Sequence, residues 1–415
     1  MAGIFNLDSS KIKYQKKDLT ASYKSIPQPK AKEVFSDEFF SNSPPSIFIG
    51  SKLKYPNVNI GILAPPERVD DVGVYDSHKR WVENDIAINE ILSYRGNLIN
   101  SRFKGNVHCA RGNSGGKFFD VAQEVGMAKK QVDMEFQLKK KVKLSLRFDK
   151  VNSPLGSSGQ LKDVKLAENP KLNKSIEKTF YDTDLGAADA LKYLYKKSVE
   201  DQKLSQVLSL GTLGIGKSRK LVPTRWSITA VDDTLGKHII SEAKHLNVND
   251  EHTLYFGNFL GNYYLVFLFP DVFSYELFEL YLPGSSWNPG EEISVATDYE
   301  DYYGRKKYAS NCVGGYYAAR LPLVENMKEK KKQSSALILR FETPEYWASL
   351  GVFVVREAMR KTMNTIPITF ESREQMFEKG KEIIQKELGF DINCILSKSV
   401  MLEKLKTQTK LTTFF

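Results

Sequence analysis

Apolar residues along this chain fall into short runs whose spacing switches several times between the two-residue period of a strand and the 3.6-residue period of a helix. The stretch PPSIFIGSKLKYPNVNIGILAPP, residues 44 to 66, is fenced by prolines and glycines and predicts strands joined by tight turns. In SHKRWVENDIAINEILSYRGNLINSRF, Ser77 reads as a helix start, and Trp81, Ile88 and Ile91 follow at helical spacing. Within the basic stretch 125 to 150, LKKKVKLSLRF alternates as a strand with its lysines toward water. A loop, NSPLGSSGQLKD, leads to an amphipathic helix in which Leu185, Ala188, Leu191 and Leu194 share a face.

Apolar runs at 226 to 231, 263 to 269 and 277 to 282 predict further strands, as does SSALILRF, and GVFVVREAMRKTM reads as a strand passing into a helix. SREQMFEKGKEIIQKELG is a helix with Ser372 and Gln375 in capping-box register and Gly389 as its stop. Residues 1 to 40 are polar and Lys-rich and read as a loosely ordered extension. Strands and helices intermix without strict alternation and no internal repeat is present, so the fold class is α+β.

Composition narrows the partners. The 415 residues are 41% apolar and 12% aromatic, enough for a large core, and Lys plus Arg exceed Asp plus Glu by 60 to 50, a formal charge of +10 that suits an acidic partner such as nucleic acid. Cys109, Cys312 and Cys394 lie far apart, and the five histidines show no ligand spacing. Neither a disulfide framework nor a metal site is expected, and a reducing cytoplasmic setting is. The most apolar run, YYLVFLFPDVF, is too short for a bilayer and is broken by Pro270 and Asp271, so no membrane segment is expected.

Four segments carry candidate chemistry. GTLGIGKS, residues 211 to 218, meets the phosphate-loop pattern, in which Lys217 reaches the outer phosphates and Ser218 holds magnesium. That chemistry needs a strand leading in and a helix leading out. SQVLSL passes as the strand, but Pro223 breaks the expected exit helix, so nucleoside triphosphatase action is not expected. Lys217, Arg219, Lys220 and Arg225 nonetheless gather four cations beside Trp226, ahead of Asp232 and Asp233. Such a cluster binds phosphate through guanidinium and backbone N–H groups, or Arg225 pairs with one of the aspartates.

In DYEDYYGRKKY and GGYYAAR, Tyr302, Tyr303, Tyr316 and Tyr317 interleave with Arg305, Lys306, Lys307 and Arg320, as base stacking with phosphate neutralisation requires and as an aromatic core also would. In VVREAMR, Arg356 and Glu357 form a buried ion pair or supply a catalytic carboxylate. Asp232, Asp233 and Glu357 are thus the candidate catalytic groups, and an enzyme acting on a nucleotide-like or ADP-ribose-like ligand would gather Arg225, Asp232, Arg320 and Glu357 in one pocket. No cofactor follows from these residues. At the end of the sequence, KTQTKLTTFF places Gln408, Leu411, Phe414 and Phe415 in the pattern of the clamp-binding PIP box, whose single tight turn gathers three apolar plugs.

Together, PPSIFIGSKLKYPNVNIGILAPP, GKSRKLVPTRWSITAVDD, DYEDYYGRKKYASNCVGGYYAARLPLVE, LGVFVVREAMR and the terminal box resemble the archaeal Nre family of DNA-repair proteins. The resemblance implies an intracellular archaeal factor in DNA-damage repair, acting on or near DNA and recruited by the sliding clamp PCNA through Gln408, Leu411, Phe414 and Phe415. It also implies a basic extension over 1–40, a large N-terminal family region over 41–286, a smaller C-terminal one over 287–403 and a flexible PCNA-binding tail over 404–415. Many relatives carry a cysteine-rich zinc motif near the N-terminus, whereas this chain has no cysteine before Cys109. The resemblance assigns no catalytic residue.

Overall fold

The alternation Val58, Ile60, Ile62, Ala64 in NVNIGILA puts four apolar side chains on one side of a single strand, and that side lies in the first of two cores. A computed structural model of the chain describes residues 3–7, 34–112, 115–143 and 145–407. The chain divides into two units, one drawn from Ser25–Leu235 and the other from Gly236–Phe415 with the amino-terminal strand Ile4–Leu7. The family boundary expected near Trp287 lies inside the second unit.

The first unit holds a six-stranded sheet in the order Glu38–Ser43, Val132–Leu138, Ser158–Leu166, Ile99–Asn106, Asn57–Ala64, Ser46–Ile49. All neighbours are antiparallel except Ile99–Asn106 and Ser158–Leu166. Helix Lys117–Met127 lays Phe119, Ala122 and Val125 against the sheet's apolar face. The helix expected over SHKRWVENDIAINEILSYRGNLINSRF is two helices and then, from Ile99, a strand. Ser77 caps His78–Glu83 by accepting from the Arg80 amide, and after a break at Asp85, which has positive φ, Ile88–Gly96 follows. In the basic stretch the main strand is Val132–Leu138, with Val132, Met134, Phe136 and Leu138 buried, so it ends on the first residue of LKKKVKLSLRF, of which Val142–Lys143 forms a second, short strand. Leu191 and Leu194 are buried in helix Ala187–Lys196 as expected, but Ala188 is exposed.

The second unit holds a seven-stranded sheet in the order Ile4–Leu7, Ile293–Glu300, Ser274–Tyr281, Ser335–Glu342, Asn262–Phe269, His252–Phe259, Ile368–Phe370. Only the central pair Ser274–Tyr281 and Ser335–Glu342 is parallel. The polar first residues therefore do more than extend: Ile4–Leu7 pairs with Ile293–Ala296 at the sheet edge. One face buries Leu265, Phe267, Phe278, Leu280, Leu337 and Leu339 beneath helix Arg373–Leu388 and the short helices Asn393–Leu396 and Val400–Thr407. Ser372 caps Arg373–Leu388 by accepting from the Gln375 amide at 3.2 Å, and Gly389 ends it, as the sequence predicts. Helices Val313–Lys330 and Phe353–Met363 belong to the other face, where Tyr275 donates to the Tyr316 carbonyl and Tyr264 to that of Val355.

Three expected strands, SQVLSL, WSITAV and VFVV, fall in helices. WSITAV opens the 20-residue helix Thr224–Ala243, which runs from one unit's residues into the other's. Its buried Val231, Leu235, Ile239 and Ala243 recur every fourth position, a period hidden by the β-branched residues of the first turns. VFVV lies in helix Phe353–Met363, which is buried nearly all round, so its apolar pattern lacks the polar stripe that marks a surface helix.

The sheet face opposite the apolar one is charged. Arg340 lies 2.6 Å from Glu279 and 2.9 Å from Glu342, and both its Nε and Nη2 donate to Asn262. Truncating a buried arginine strands its carboxylates, so Arg340→Ala is expected to lower unfolding free energy by about 3–5 kcal/mol. Burial pushes the Glu342 carboxyl up to about 7 in spite of Arg340. The native chain therefore holds a proton that the unfolded chain has already released, and stability is expected to fall as pH rises from about 5 to about 7. Denaturant unfolding across this range measures the slope. It should flatten in Glu342→Gln, and an unchanged slope would assign it to another group.

Candidate nucleic-acid interface

The segment Gly211–Pro223 lies between two helices rather than between a strand and a helix. SQVLSL belongs to helix Asp201–Ser209, not to a strand. Gly211 reverses the chain with φ +63°, and a Cβ there would lie 2.6 Å from Ala110 Cβ and 2.8 Å from the Lys220 carbonyl, so only glycine fits. The loop closes where the Val222 amide donates to Ser209 at 2.9 Å and the Leu221 amide to Val107 at 2.8 Å. Gly216–Ser218 makes one 3-10 turn. The exit helix does exist, but it starts at Thr224, and Pro223 stands in front of it, where a missing N–H costs nothing. Lys217 and Ser218 are thus separated from the helix N-terminus, and the strand-loop-helix frame of a phosphate loop is not formed.

Arg219 is the strut of this loop. Its side chain is buried, with Nε donating to the Gly214 carbonyl at 2.8 Å and Nη2 to the carbonyls of Asp182 at 3.2 Å and Thr179 at 3.4 Å, while the guanidinium lies 5.3 Å from the Phe180 ring centre. With Arg219 held inward, Lys217, Ser218, Lys220 and Arg225 face water, and Trp226 is 60% exposed. Among the described residues Lys217, Lys220 and Arg225 have no carboxylate at ion-pair distance.

A second segment joins this patch. Arg111 Nε donates to the Arg219 carbonyl at 3.3 Å. Partial desolvation, with the Arg111 and Lys220 charges, holds the His108 imidazole below its usual pKa, a sign of a positive local field. The exposed Tyr55 ring stands edge-on to His108 at 6.4 Å. Exposed cations beside an indole and a phenol can neutralise phosphates and stack on bases. Sequence reasoning did not single out Tyr55, His108 or Arg111, which carry no motif and reach the loop only through the fold.

The remaining candidates stand elsewhere. Asp232 is buried within helix Thr224–Ala243 and Asp233 is half-buried beside it, so neither ends a strand. Arg225 and Asp232 belong to the first unit, Arg320 and Glu357 to the second. Tyr316, Tyr317 and Arg320 are buried in helix Val313–Lys330, where Arg320 Nη1 lies 3.0 and 3.1 Å from the two Glu300 oxygens. Arg356 lies 3.5 Å from Glu357, which also receives Arg360 at 2.8 Å, and Arg360 forks onto Glu325 at 2.9 and 3.0 Å. The clamp-box residues Gln408, Leu411, Phe414 and Phe415 lie outside the described residues. Among the described residues no group of three His, Cys, Asp or Glu is placed to hold a metal ion, and no helix is long and apolar enough to cross a membrane.

Strut and presented cations should separate on mutation. Arg219→Ala is expected to lower unfolding free energy by about 1.5–3 kcal/mol, whereas Lys217→Ala and Arg225→Ala should stay within about 0.5 kcal/mol of wild type in denaturant unfolding.

Comparison with known proteins agrees with the motifs. The family model described as Archaeal Nre, N-terminal matches residues 14–288, and that described as Archaeal Nre, C-terminal matches residues 300–414. The chain is 37% identical over 331 residues to DNA repair protein NreA of Haloferax volcanii, covering 79% of this chain and 78% of that one. It is 39% identical over 331 residues to DNA repair protein NreA of Archaeoglobus fulgidus, covering 80% and 81%. It is 33% identical over 373 residues to NreB of the same organism, covering 90% and 91%. No solved structure matches significantly. With both family models matched in order along an α+β chain, the protein belongs to the archaeal Nre family.

Proposed function

We propose that this chain is a DNA-damage repair factor that holds DNA through Lys217, Lys220, Arg225 and Trp226 and is recruited to the PCNA clamp through Gln408, Leu411, Phe414 and Phe415. The observation that carries the DNA contact is the set of exposed cations without a carboxylate partner among the described residues, beside an exposed tryptophan. Relatives named DNA repair proteins supply the biological setting. The clamp contact is supported by the sequence pattern and by its energetics. Each apolar plug removed from water contributes about 1.5–3 kcal/mol, and ordering the segment opposes that gain, so binding should need all three plugs.

DNA affinity of the full chain, measured across a salt series, tests the first contact. The triple variant Lys217→Ala, Lys220→Ala, Arg225→Ala is expected to flatten the salt slope on duplex DNA by about 2 to 3, at roughly 0.9 per phosphate contact. A slope equal to wild type would refute this interface. In parallel, a chain lacking residues 408–415 should lose binding to purified PCNA, and retained binding would refute the clamp contact.

A further inference from the structure

The Tyr-rich segment divides in the fold. Tyr316, Tyr317 and Arg320 are buried, whereas Tyr303 is 91% exposed and Lys306, Lys307 and Tyr308 face water. Tyr303 stands on a tight turn. The Gly304 amide donates to the Asp301 carbonyl at 2.9 Å, the Tyr303 amide to Asp301 Oδ1 at 3.0 Å, and Gly304 has φ +80°. Behind it, the Tyr302 ring lies 4.7 Å from Lys244 Nζ and meets the Tyr303 ring at 5.8 Å and 87°. One ring is packed and the next is held out from it.

The backbone around this tip is fastened at both ends. Arg305 donates from Nη1 to the Tyr299 carbonyl at 2.8 Å, and from Nε and Nη2 to the carbonyls of Lys307 and Tyr308, both at 3.3 Å. It also pairs with Asp298 at 3.0 Å. Asp298 in turn accepts the amides of Asn311 at 3.0 Å and Cys312 at 2.8 Å, which closes the far end of the loop. Tyr308 stacks on Tyr317 at 5.3 Å, and the Ala309 amide donates to the Tyr317 hydroxyl at 2.9 Å. The nearby carboxylates face cations of the fold: Asp298 faces Arg305, Glu300 faces Arg320, and Asp301 lies 3.7 Å from Lys404. Lys306 and Lys307 have no such partner among the described residues.

We propose that the loop Asp301–Cys312 is a base-stacking station, in which Tyr303 lies on an unpaired nucleobase while Lys306 and Lys307 neutralise the flanking phosphates of a single strand. A ring held out on a rigid turn has few torsions to freeze on contact. It reaches a base face only where that base is out of a duplex stack. The inference rests on the reading of this chain as a DNA-binding protein but assigns a separate site, in the other unit, with a different preference.

The test uses the full chain with a single strand of about 20 nucleotides carrying 2-aminopurine, and with the matching duplex. Wild type should quench the 2-aminopurine on the single strand. Tyr303→Ala should lose that quenching and bind the strand about tenfold more weakly, while Tyr303→Phe retains both and duplex affinity is unaffected. Lys306→Ala with Lys307→Ala should flatten the single-strand salt slope by about 1.4. Melting temperature controls for folding, and a side chain this exposed should leave it unchanged. Single-strand binding and quenching by Tyr303→Ala equal to wild type would overturn the station while leaving the DNA reading in place. Absence of wild-type binding to strand and duplex alike would overturn both, and binding to an acidic peptide in place of either would reassign the loop to a protein partner.

Discussion

A charge taken out of water is tolerated only with an opposite charge or a set of dipoles at hydrogen-bond distance, and the second unit is organised around that constraint. Its sheet carries Glu276, Glu279, Asp298, Glu300, Arg340 and Glu342, all buried. Each is answered, and the answers attach elements to one another. Arg320 fastens helix Val313–Lys330 to the strand that carries Glu300, and Asp298 holds the start of that helix through the Cys312 amide. Glu276 accepts the Val400 and Met401 amides, both at 3.0 Å, and so pins the last described helix to a central strand. Cations used in this way are unavailable to a ligand, and the exposed ones are left for that role.

The two loops argued to meet DNA share a construction although their sequences differ. In each, one arginine donates to backbone carbonyls and makes the loop rigid: Arg219 to Gly214, Asp182 and Thr179, and Arg305 to Tyr299, Lys307 and Tyr308. Lysines and an aromatic ring then face solvent at each loop, Lys217 and Lys220 beside Trp226 of the following helix at one, Lys306 and Lys307 with Tyr303 at the other. Guanidinium suits the inner position because its fork of donors reaches several carbonyls at once, and ammonium suits the outer one because it stays hydrated until it meets a phosphate.

Signals that are local were legible in the sequence. Strands bounded by turn residues, the Ser372 cap and Gly389 stop, and the family motifs all depend on near neighbours. Sequence and structure part where a distant partner decides. WSITAV carries strand-like residues, yet Val231, Leu235, Ile239 and Ala243 are buried along one helix. Arg305, Arg320, Lys306 and Lys307 look alike in a cation-rich string, but Arg305 is matched to Asp298 and Arg320 to Glu300 while the two lysines face water, and nothing local announces the difference. His108 and Arg111 reach the Gly211–Pro223 loop from a segment more than a hundred residues earlier, as the Arg111 to Arg219 contact shows.

The division of labour inside the Asp301–Cys312 loop bears on how this surface can change over generations. Asp298, Arg305 and Asn311 are tied into the fold, so replacing any of them disturbs the packing of helix Val313–Lys330. Tyr303 and Lys307 join that frame through backbone hydrogen bonds, and Tyr303 also through its ring contact with Tyr302, while the side chains of Tyr303, Lys306 and Lys307 face water. Their side chains can drift, or be exchanged by design, at little risk to folding. The loop is therefore a cassette, a frame fastened into the fold with side chains that can be retuned on it.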